Sequence, residues 1–526
     1  MVPADNPQQI DVHDFVLPFS GHLDPTNRWV QLAQRMPWAD LCARYAQCFS
    51  PTQGRPALAP RLAIGAVLIQ QMKGLTDEET VQEIRENPYL QYFLGYPDSC
   101  YRQCCDPSLL VTIRKRLGPD LIAQFNRQFL AAQDPPPAEE PADEPPPEPP
   151  DPEDAPGSGR ARPPATPPES PPVQDAAEDP EASPDPQGQL LIDATVAPAD
   201  IRYPTDLDLL NQCREVSEAL IDTLWEPGEG RVKPRTYRRV ARQEYLAVAK
   251  QRKKHGKQVR QAVRKQLQYV KRNLGHLDQL LDATPGRAIP LSRADYRHLL
   301  VIREVYRQQQ TMYDHRTHRM PGRIVSVSQP HVRPIVRGKA HASTEFGAKL
   351  SVSLVDGIAY LDRISWEATN ESQDLPEQVE RFREHFGHYP AVVIADGIYG
   401  TRANRQYLKQ RGIRFSGKPL GRPPADTQER KAARKQRQQE AKHRNRIEGK
   451  FGEGKRKYQL DCVRTKRQDT SEHWIAMTFF AMNIAAVLRR YFLSRFFWRL
   501  IRSYTERFAI TSGFIWNESQ RKRLFQ

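Results

Sequence analysis

Residues 133–188 constrain this chain more than any other stretch. They hold 20 of its 46 prolines and 15 acidic residues against 2 basic ones, with almost no large apolar side chain. Such a run cannot bury enough surface to offset the entropy of ordering, so it is read as a disordered acidic linker. The 526 residues leave room for two to four domains. The expected division is a helical domain over 1–132, the linker over 133–188, an α/β domain over 189–490 and a basic, aromatic tail over 491–526. The whole chain carries a formal charge of +15 while the linker carries −13, so the remainder carries +28. An excess of that size speaks for a polyanionic partner, because each phosphate neutralised releases counterion.

Other classes fall away on residue grounds. Seven cysteines in a chain this long do not suit a secreted disulfide scaffold. Cys100, Cys104 and Cys105 lack the paired spacing of a zinc site, so they are read as free thiols in a reducing cytoplasm. The N-terminus has no basic region followed by an apolar core. Trp474–Leu488 is shorter than the roughly 20 residues a membrane helix needs and contains Asn483, so it is read as a buried helix. No G-x4-G-K-[S/T] motif speaks for a helicase or ATPase.

Before the linker the pattern is helical. Leu62, Ala66 and Ile69 follow helical spacing after Pro56 and Pro60, and Gly74 stops the run. Thr76-Asp-Glu-Glu79 has the form of a capping box, and Asn87-Pro88 ends the helix it opens. A further helix is expected from about Ser108 to Leu117, with Arg114, Lys115 and Arg116 at its basic end. Those three are candidate DNA contacts; a solvated basic face explains them equally well.

After the linker, Leu190-Leu-Ile-Asp193 is a short apolar run ending in an acid. About 206–320 reads as a charged helical insertion, a hairpin or coiled pair, in which Tyr237, Tyr245 and Tyr269 interleave the basic run Arg235–Leu274. Strands are expected at Glu345–Val355 and Ile358–Trp366 around the turn Asp356-Gly357. There follow a helix at Leu375–Phe386, an apolar strand Ala391–Ala395 ending at Asp396, a helix at Thr401–Gln410, a strand at Ile413–Ser416 and a long basic helix at Gln428–Lys457. An antiparallel meander feeding parallel strands with crossover helices is a mixed α/β sheet.

The chemistry is expected where the strands end. Uninterrupted apolar runs belong to strands buried on both faces, and open α/β sheets hold ligands at the carboxyl ends of such strands. Asp193 and Asp396 occupy such ends. Two close carboxylates repel unless a cation lies between them. Magnesium suits them, since it binds a few carboxylates, keeps waters and takes substrate phosphates. A third acid would complete two sites for in-line attack on a phosphodiester. Glu448 is the best candidate: Arg444, Glu448 and Lys455 share one helical stripe, which puts two phosphate-holding cations beside the acid. Asp200, Asp206, Asp356, Asp362, Glu371 and Glu453 are rivals. Trp366 could stack an unpaired base, though a core tryptophan is the simpler reading.

At these residues the chain resembles the DDE transposases of bacterial insertion sequences, which have a ribonuclease H-like catalytic core. Gly74-Leu-Thr-Asp-Glu-Glu79 and Glu86-Asn-Pro-Tyr-Leu-Gln-Tyr-Phe-Leu-Gly95 look like their N-terminal domain. Leu191-Ile-Asp-Ala-Thr195 looks like the first-acid motif and Ile394-Ala-Asp-Gly-Ile-Tyr-Gly400 like the second. Arg444-x3-Glu448-x6-Lys455 matches the last three members of the Tyr-x2-Arg-x3-Glu-x6-Lys signature, with Ala441 standing where the Tyr is expected. The resemblance implies a ribonuclease H-like sheet with a helical insertion and an all-α N-terminal domain. It implies Asp193, Asp396 and Glu448 as catalytic metal ligands for Mg2+ or Mn2+, two ions in all, and Arg444 and Lys455 as phosphate contacts. The implied partners are double-stranded DNA, both terminal inverted repeats and target, and a second copy of the chain. The implied location is the bacterial cytoplasm, at the nucleoid. A catalytically silent DNA-binding relative and a ribonuclease H-like nuclease remain as alternatives.

Overall fold

The computed structural model describes residues 8–18, 21–50, 57–133, 185–227, 232–253, 255–283, 289–336, 344–421 and 428–512. Most of the expected linker, Pro56 and the end of the expected tail lie outside the described residues.

Seven helices precede the linker: α1 (Arg28–Arg35), α2 (Trp38–Ala46), α3 (Pro60–Lys73), α4 (Asp77–Glu86), α5 (Pro88–Phe93), α6 (Pro107–Arg116) and α7 (Pro119–Ala131). Helix α3 is buried on all sides from Pro60 to Gln71, so its sequence shows no polar face. It ends where Gly74 takes the left-handed conformation, φ 71°. Thr76 and Glu79 make the reciprocal capping box that opens α4. Asn87 closes α4 and caps α5, with Pro88 in its first turn. Helices α1, α2 and α7 were not anticipated from sequence periodicity.

The sheet begins with β1 (Gln189–Pro198), followed by the inserted helices α8 (Asp206–Leu224), α9 (Arg238–Ala249), α10 (Gly256–Asp282) and α11 (Arg293–Asp314). The insertion is thus four helices around their own core of Leu210, Ile221, Val270, Leu277, Ile302 and Val305, rather than one hairpin. Next come β2 (Arg333–Val336), β3 (Thr344–Val355), β4 (Ile358–Ser365), α12 (Leu375–Phe386), β5 (Val392–Ile394), α13 (Arg402–Gln410), β6 (Arg414–Phe415), α14 (Gln428–Lys457) and α15 (Gln468–Ser512). The β3–β4 turn has Asp356 at φ 47° and Gly357 at φ 79°, the two positive values that such a tight hairpin requires.

Strands β4, β3 and β1 are joined antiparallel, and β5 and β6 continue from β1 in parallel. Strand β2 pairs with the start of β3. The result is a mixed α/β core. Strand β1 does not stop at Asp193 as its sequence led us to expect. Residues Ala194–Ala197 are small or β-branched and buried, and their pairing with β3 carries the strand on to Pro198.

The two faces of the sheet are covered differently. Leu190, Ile192, Val393 and Ala395 pack against Val379 and Phe382 of α12 and Leu408 of α13. Leu191, Leu350, Val352, Val392 and Ile394 pack against Ile447 and Phe451 of α14 and Ile475 and Phe479 of α15. Helix α15 also enters the N-terminal helices, where Met477, Phe480, Ala481 and Ile484 join Phe125 and Phe129 in one core. Over Gln468–Ser494 it is long and apolar enough to cross a membrane, but most of that length is buried inside the protein. Asn483, fully buried on it, bonds both the N–H and the C=O of Ala359 on edge strand β4 (2.9 and 2.7 Å) and Asn126 of α7 (3.1 Å). One side chain thus covers part of a sheet edge and ties the N-terminal helices to it.

A candidate carboxylate centre on the α14 face of the sheet

Strands β1 and β5 pair in parallel with Leu191 opposite Ile394. The same register carried two residues further sets Asp193 level with Asp396. Neighbouring strands lie about 4.8 Å apart, and residues level with each other in parallel strands point to the same face. That face is the one carrying Leu191 and Ile394, the side covered by α14. Asp396 lies at the end of its strand, as expected. Asp193 lies in the middle of its longer strand, but where the parallel partner has run out.

Helix α14 crosses this face at a height set by three contacts. Glu440 meets Arg414 of β6 at 2.5 Å, His443 Nδ1 lies 3.3 Å from Gln189 Oε1, and Arg444 Nη1 lies 3.5 Å from Asp193 Oδ2. Ile447 is fully buried beneath the helix, and Glu448, next to it, is exposed. The other arm of Arg444 reaches Glu448 Oε1 at 3.0 Å. Helix α14 contains Gly449, Gly452 and Gly454, each unfavourable in a helix interior, and Gly454 has a packing reason. A Cβ there would meet Met482 Sδ at 3.1 Å and Leu460 Cδ2 at 3.2 Å, so it lets α14 close on α15. At Gly449 a Cβ would meet nothing within 4 Å.

The electrostatics follow from the geometry. Burial pushes the Asp193 carboxyl above its ordinary value, and the charges of Glu371 and Asp396 push the same way. A hydrogen bond from Ala194 N–H (2.8 Å) and the Arg444 guanidinium oppose this but do not cancel it. Asp396 accepts from Gly397 N–H at 2.6 Å and caps the short turn Gly397–Tyr399. Behind the pair, Tyr399 is fully buried, and burial followed by the charges of Glu371 and Asp193 raises its phenol. Glu371 is paired with Lys349 at 3.0 Å, and that lysine also donates to Thr369 O at 2.6 Å. Sequence reading did not single out Lys349; the available signal was that it is the one cation of β3.

Three carboxylates are a suitable donor set for a hard divalent cation. Asp193 in particular is a partly buried acid whose cationic partner stands at the long limit of a contact. Yet among the described residues no three acidic, histidine or cysteine side chains stand close enough to form a ready metal-binding group. The structure brings Asp193 level with Asp396 and joins Glu448 to Asp193 only through Arg444.

The other expected site residues separate into distinct roles. Lys455 is half-buried near the end of α14. Arg114 is buried, with its guanidinium on both carboxylate oxygens of Asp77 (2.6 and 2.7 Å) and on Gln70 (2.8 Å). Lys115 and Arg116 are exposed, and Arg116 lies over the Phe49 ring at 4.5 Å. Trp366 is a core residue, donating to Glu472 at 2.9 Å and edge-on to His331. Among the rival acids, Asp206 is held by Arg323 (2.6 Å), Asp362 by Ser353 (2.6 Å) and Gln378 (2.8 Å), and Glu453 by Lys450 (3.1 Å) and Arg489 (2.7 Å). On the insertion, Arg239, Arg242, Lys253, Lys257, Arg264 and Lys271 are exposed.

Comparison with known proteins gives two family matches. Residues 393–485, from β5 into α15 and including Asp396 and Glu448, match a family model described as a transposase DDE domain. Residues 18–116, spanning α1 to α6, match a second described as a transposase domain, DUF772. The chain is similar to transposases over these two segments. Taken together they indicate an insertion-sequence transposase of the DDE class. Transposases act on DNA, and the DDE class generally uses a divalent metal. An uncharacterized protein, ORF8 in the nfe locus of Rhizobium meliloti, is 36% identical over 97 residues, 18% of this chain and 46% of that relative. The chain thus spans about half the length of that curated relative. No solved structure matches.

Proposed function

We propose that this chain is a DNA transposase that cleaves strands at the ends of a mobile element and joins them to target DNA, with Asp193, Asp396 and Glu448 as the catalytic acids. The observation that carries this reading is the register of β1 and β5, which sets two carboxylates level on the face crossed by α14. The antiparallel strands β4, β3 and β1 followed by parallel β5 and β6 support a ribonuclease H-like core, with the acids at the boundary between the two halves.

In this reading the three carboxylates hold Mg2+ or Mn2+, two ions in all. Such ions, held by these carboxylates, would supply Lewis-acid activation of water and charge stabilisation for phosphodiester cleavage. The chain's own part is to position. Asp193 is fixed by the pairing of β1 with β3, Asp396 by the turn it caps after β5, Glu448 is carried by a helix braced on β1 and β6, and Arg444 and Lys455 hold phosphate oxygens. Lys115, Arg116 and the exposed cations of the insertion hold duplex backbone away from the centre. The N-terminal region docks DNA, the acidic linker spaces the two regions, and two copies of the chain pair two DNA ends in the bacterial cytoplasm.

The test is cleavage and joining of a duplex carrying the inverted repeats that flank the gene, with Mg2+ or Mn2+. Asp193→Asn, Asp396→Asn and Glu448→Gln are each expected to abolish both steps while leaving duplex binding in place. Unchanged cleavage in any of the three overturns its assignment. Cutting without joining, and without preference for those ends, would favour a nuclease instead.

A further inference from the structure

The acids and Arg444 stand in an arrangement that the proposed chemistry does not by itself require. One arm of the guanidinium is 3.5 Å from Asp193 and the other 3.0 Å from Glu448. The positive charge therefore lies between the carboxylate fixed on the sheet and the carboxylate carried on the helix. The side chains of Asp193, Arg444 and Glu448 are 15%, 29% and 51% exposed, so the bridge reaches from a buried acid outward to solvent. Among the described residues no three-acid group is assembled.

Resting on the function proposed above, we infer that Arg444 is a latch on the cation site. Its guanidinium satisfies Asp193 and Glu448 until a DNA phosphate draws it away, so that the carboxylates close on a divalent cation only when DNA is present.

The magnitudes favour a latch that releases. Partly exposed ion pairs contribute about 0–1 kcal/mol, and at 3.5 Å the Asp193 contact is at the weak end. A phosphate can take both arms of the fork in a bidentate, charge-assisted contact, which is stronger. Arg444 is already on the phosphate-facing stripe with Glu448 and Lys455, so release needs a change of side-chain rotamer rather than of backbone. Once it leaves, Asp193 and Asp396 stand level with no guanidinium beside them, and a divalent cation is the group that relieves their repulsion. Linkage then works in both directions: DNA raises metal affinity, and metal raises affinity for DNA.

The experiment measures binding of Mn2+ alone to the full-length protein by loss of the free-ion electron paramagnetic resonance signal, without DNA and without turnover. Asp193→Asn serves as the blank. Arg444→Gln is expected to bind Mn2+ about three- to tenfold more tightly than the unaltered protein. Arg446→Gln, an equal change of charge at an exposed position two residues on, is expected to leave affinity unchanged. Arg444→Lys keeps the charge but not the fork, and should fall between; it also stands in if the Gln variant folds poorly. Adding a short DNA duplex should raise Mn2+ affinity in the unaltered protein and not in Arg444→Gln. If Arg444→Gln binds no more tightly, or Arg446→Gln gains as much, the latch is overturned and the metal-binding acids stand. An equal effect of duplex on both proteins overturns release by phosphate. If Asp193→Asn binds Mn2+ as well as the unaltered protein, the underlying metal site fails, and the latch with it.

Discussion

Leu191 and Ile394 pair on adjacent parallel strands although the entire helical insertion separates them in the chain, and the same register carried two residues on leads to Asp193 and to Asp396, just past the end of β5. Only one of the two acids is partly buried. Asp193 sits under α14 with a raised carboxyl, and Asp396 lies exposed at a strand end. The cost of the arrangement therefore falls on Asp193. In metal-free protein at neutral pH, Asp193→Asn should raise the unfolding free energy by about 1 kcal/mol, because a neutral isostere removes the desolvated charge and can still accept from Ala194. Asp396→Asn should change it far less. Thermal unfolding of the two variants checks this; equal effects would contradict it.

The basic end of α6 separates into a structural and a surface part. Burial opposes ionisation of Asp77, but hydrogen bonds from Arg114 and Gln70 outweigh it and hold the carboxyl below its ordinary value. Removing the guanidinium strands that acid. Arg114→Ala should destabilise the protein by about 3 kcal/mol. Lys115→Ala should leave stability within about 0.5 kcal/mol and weaken duplex binding, with a shallower salt dependence. Denaturant melts and binding titrations at two salt concentrations distinguish the two residues.

Asn483 is expected to be among the most sensitive positions of α15. Asn483→Ala leaves the buried N–H and C=O of Ala359 without the partner that meets them at 2.9 and 2.7 Å. The expected loss is about 2–4 kcal/mol, far above that of a solvent-facing Asn. Asn483→Asp keeps the acceptor but not the donor and should also be destabilising. A wild-type unfolding midpoint for either variant would contradict the role given to this side chain.

Asp362 gives a pH dependence with a definite sign. Burial pushes its carboxyl up to about 6, against hydrogen bonds from Gln378 and Ser353. A carboxyl raised in the folded state holds its proton more tightly there than in the unfolded chain. Its contribution to stability is therefore full below the unfolded value of about 4 and is lost as pH rises through about 6. Asp362→Asn has no such term. Its stability relative to the unaltered protein should increase between pH 5 and pH 7, on the order of 1–2 kcal/mol. Melts at the two pH values give the comparison, and a flat difference would refute it.

Local order could be read from the residues because its causes are local. The Gly74 stop, the Thr76–Glu79 box, the Asp356-Gly357 turn and the helices Leu375–Phe386 and Gln428–Lys457 depend on neighbours a few positions away. Strand β1 was harder to bound, since its second half is specified by its pairing with β3. Of the site, the three acids and their flanking cations were visible as residue types at suggestive positions, and the family resemblance rested on the same residues.

The sequence by itself determined which side chains are available: two acids beyond apolar runs, and a third on a helical stripe with Arg444 and Lys455. Tertiary structure alone decided that Leu191 stands opposite Ile394 two residues before the acids, that Arg444 spans Asp193 and Glu448, and that Arg114 turns inward to Asp77. The reason is physical. Strand register and helix crossing are set by burial of faces whose partners lie far away along the chain, and a charge takes its role from whatever that burial places beside it.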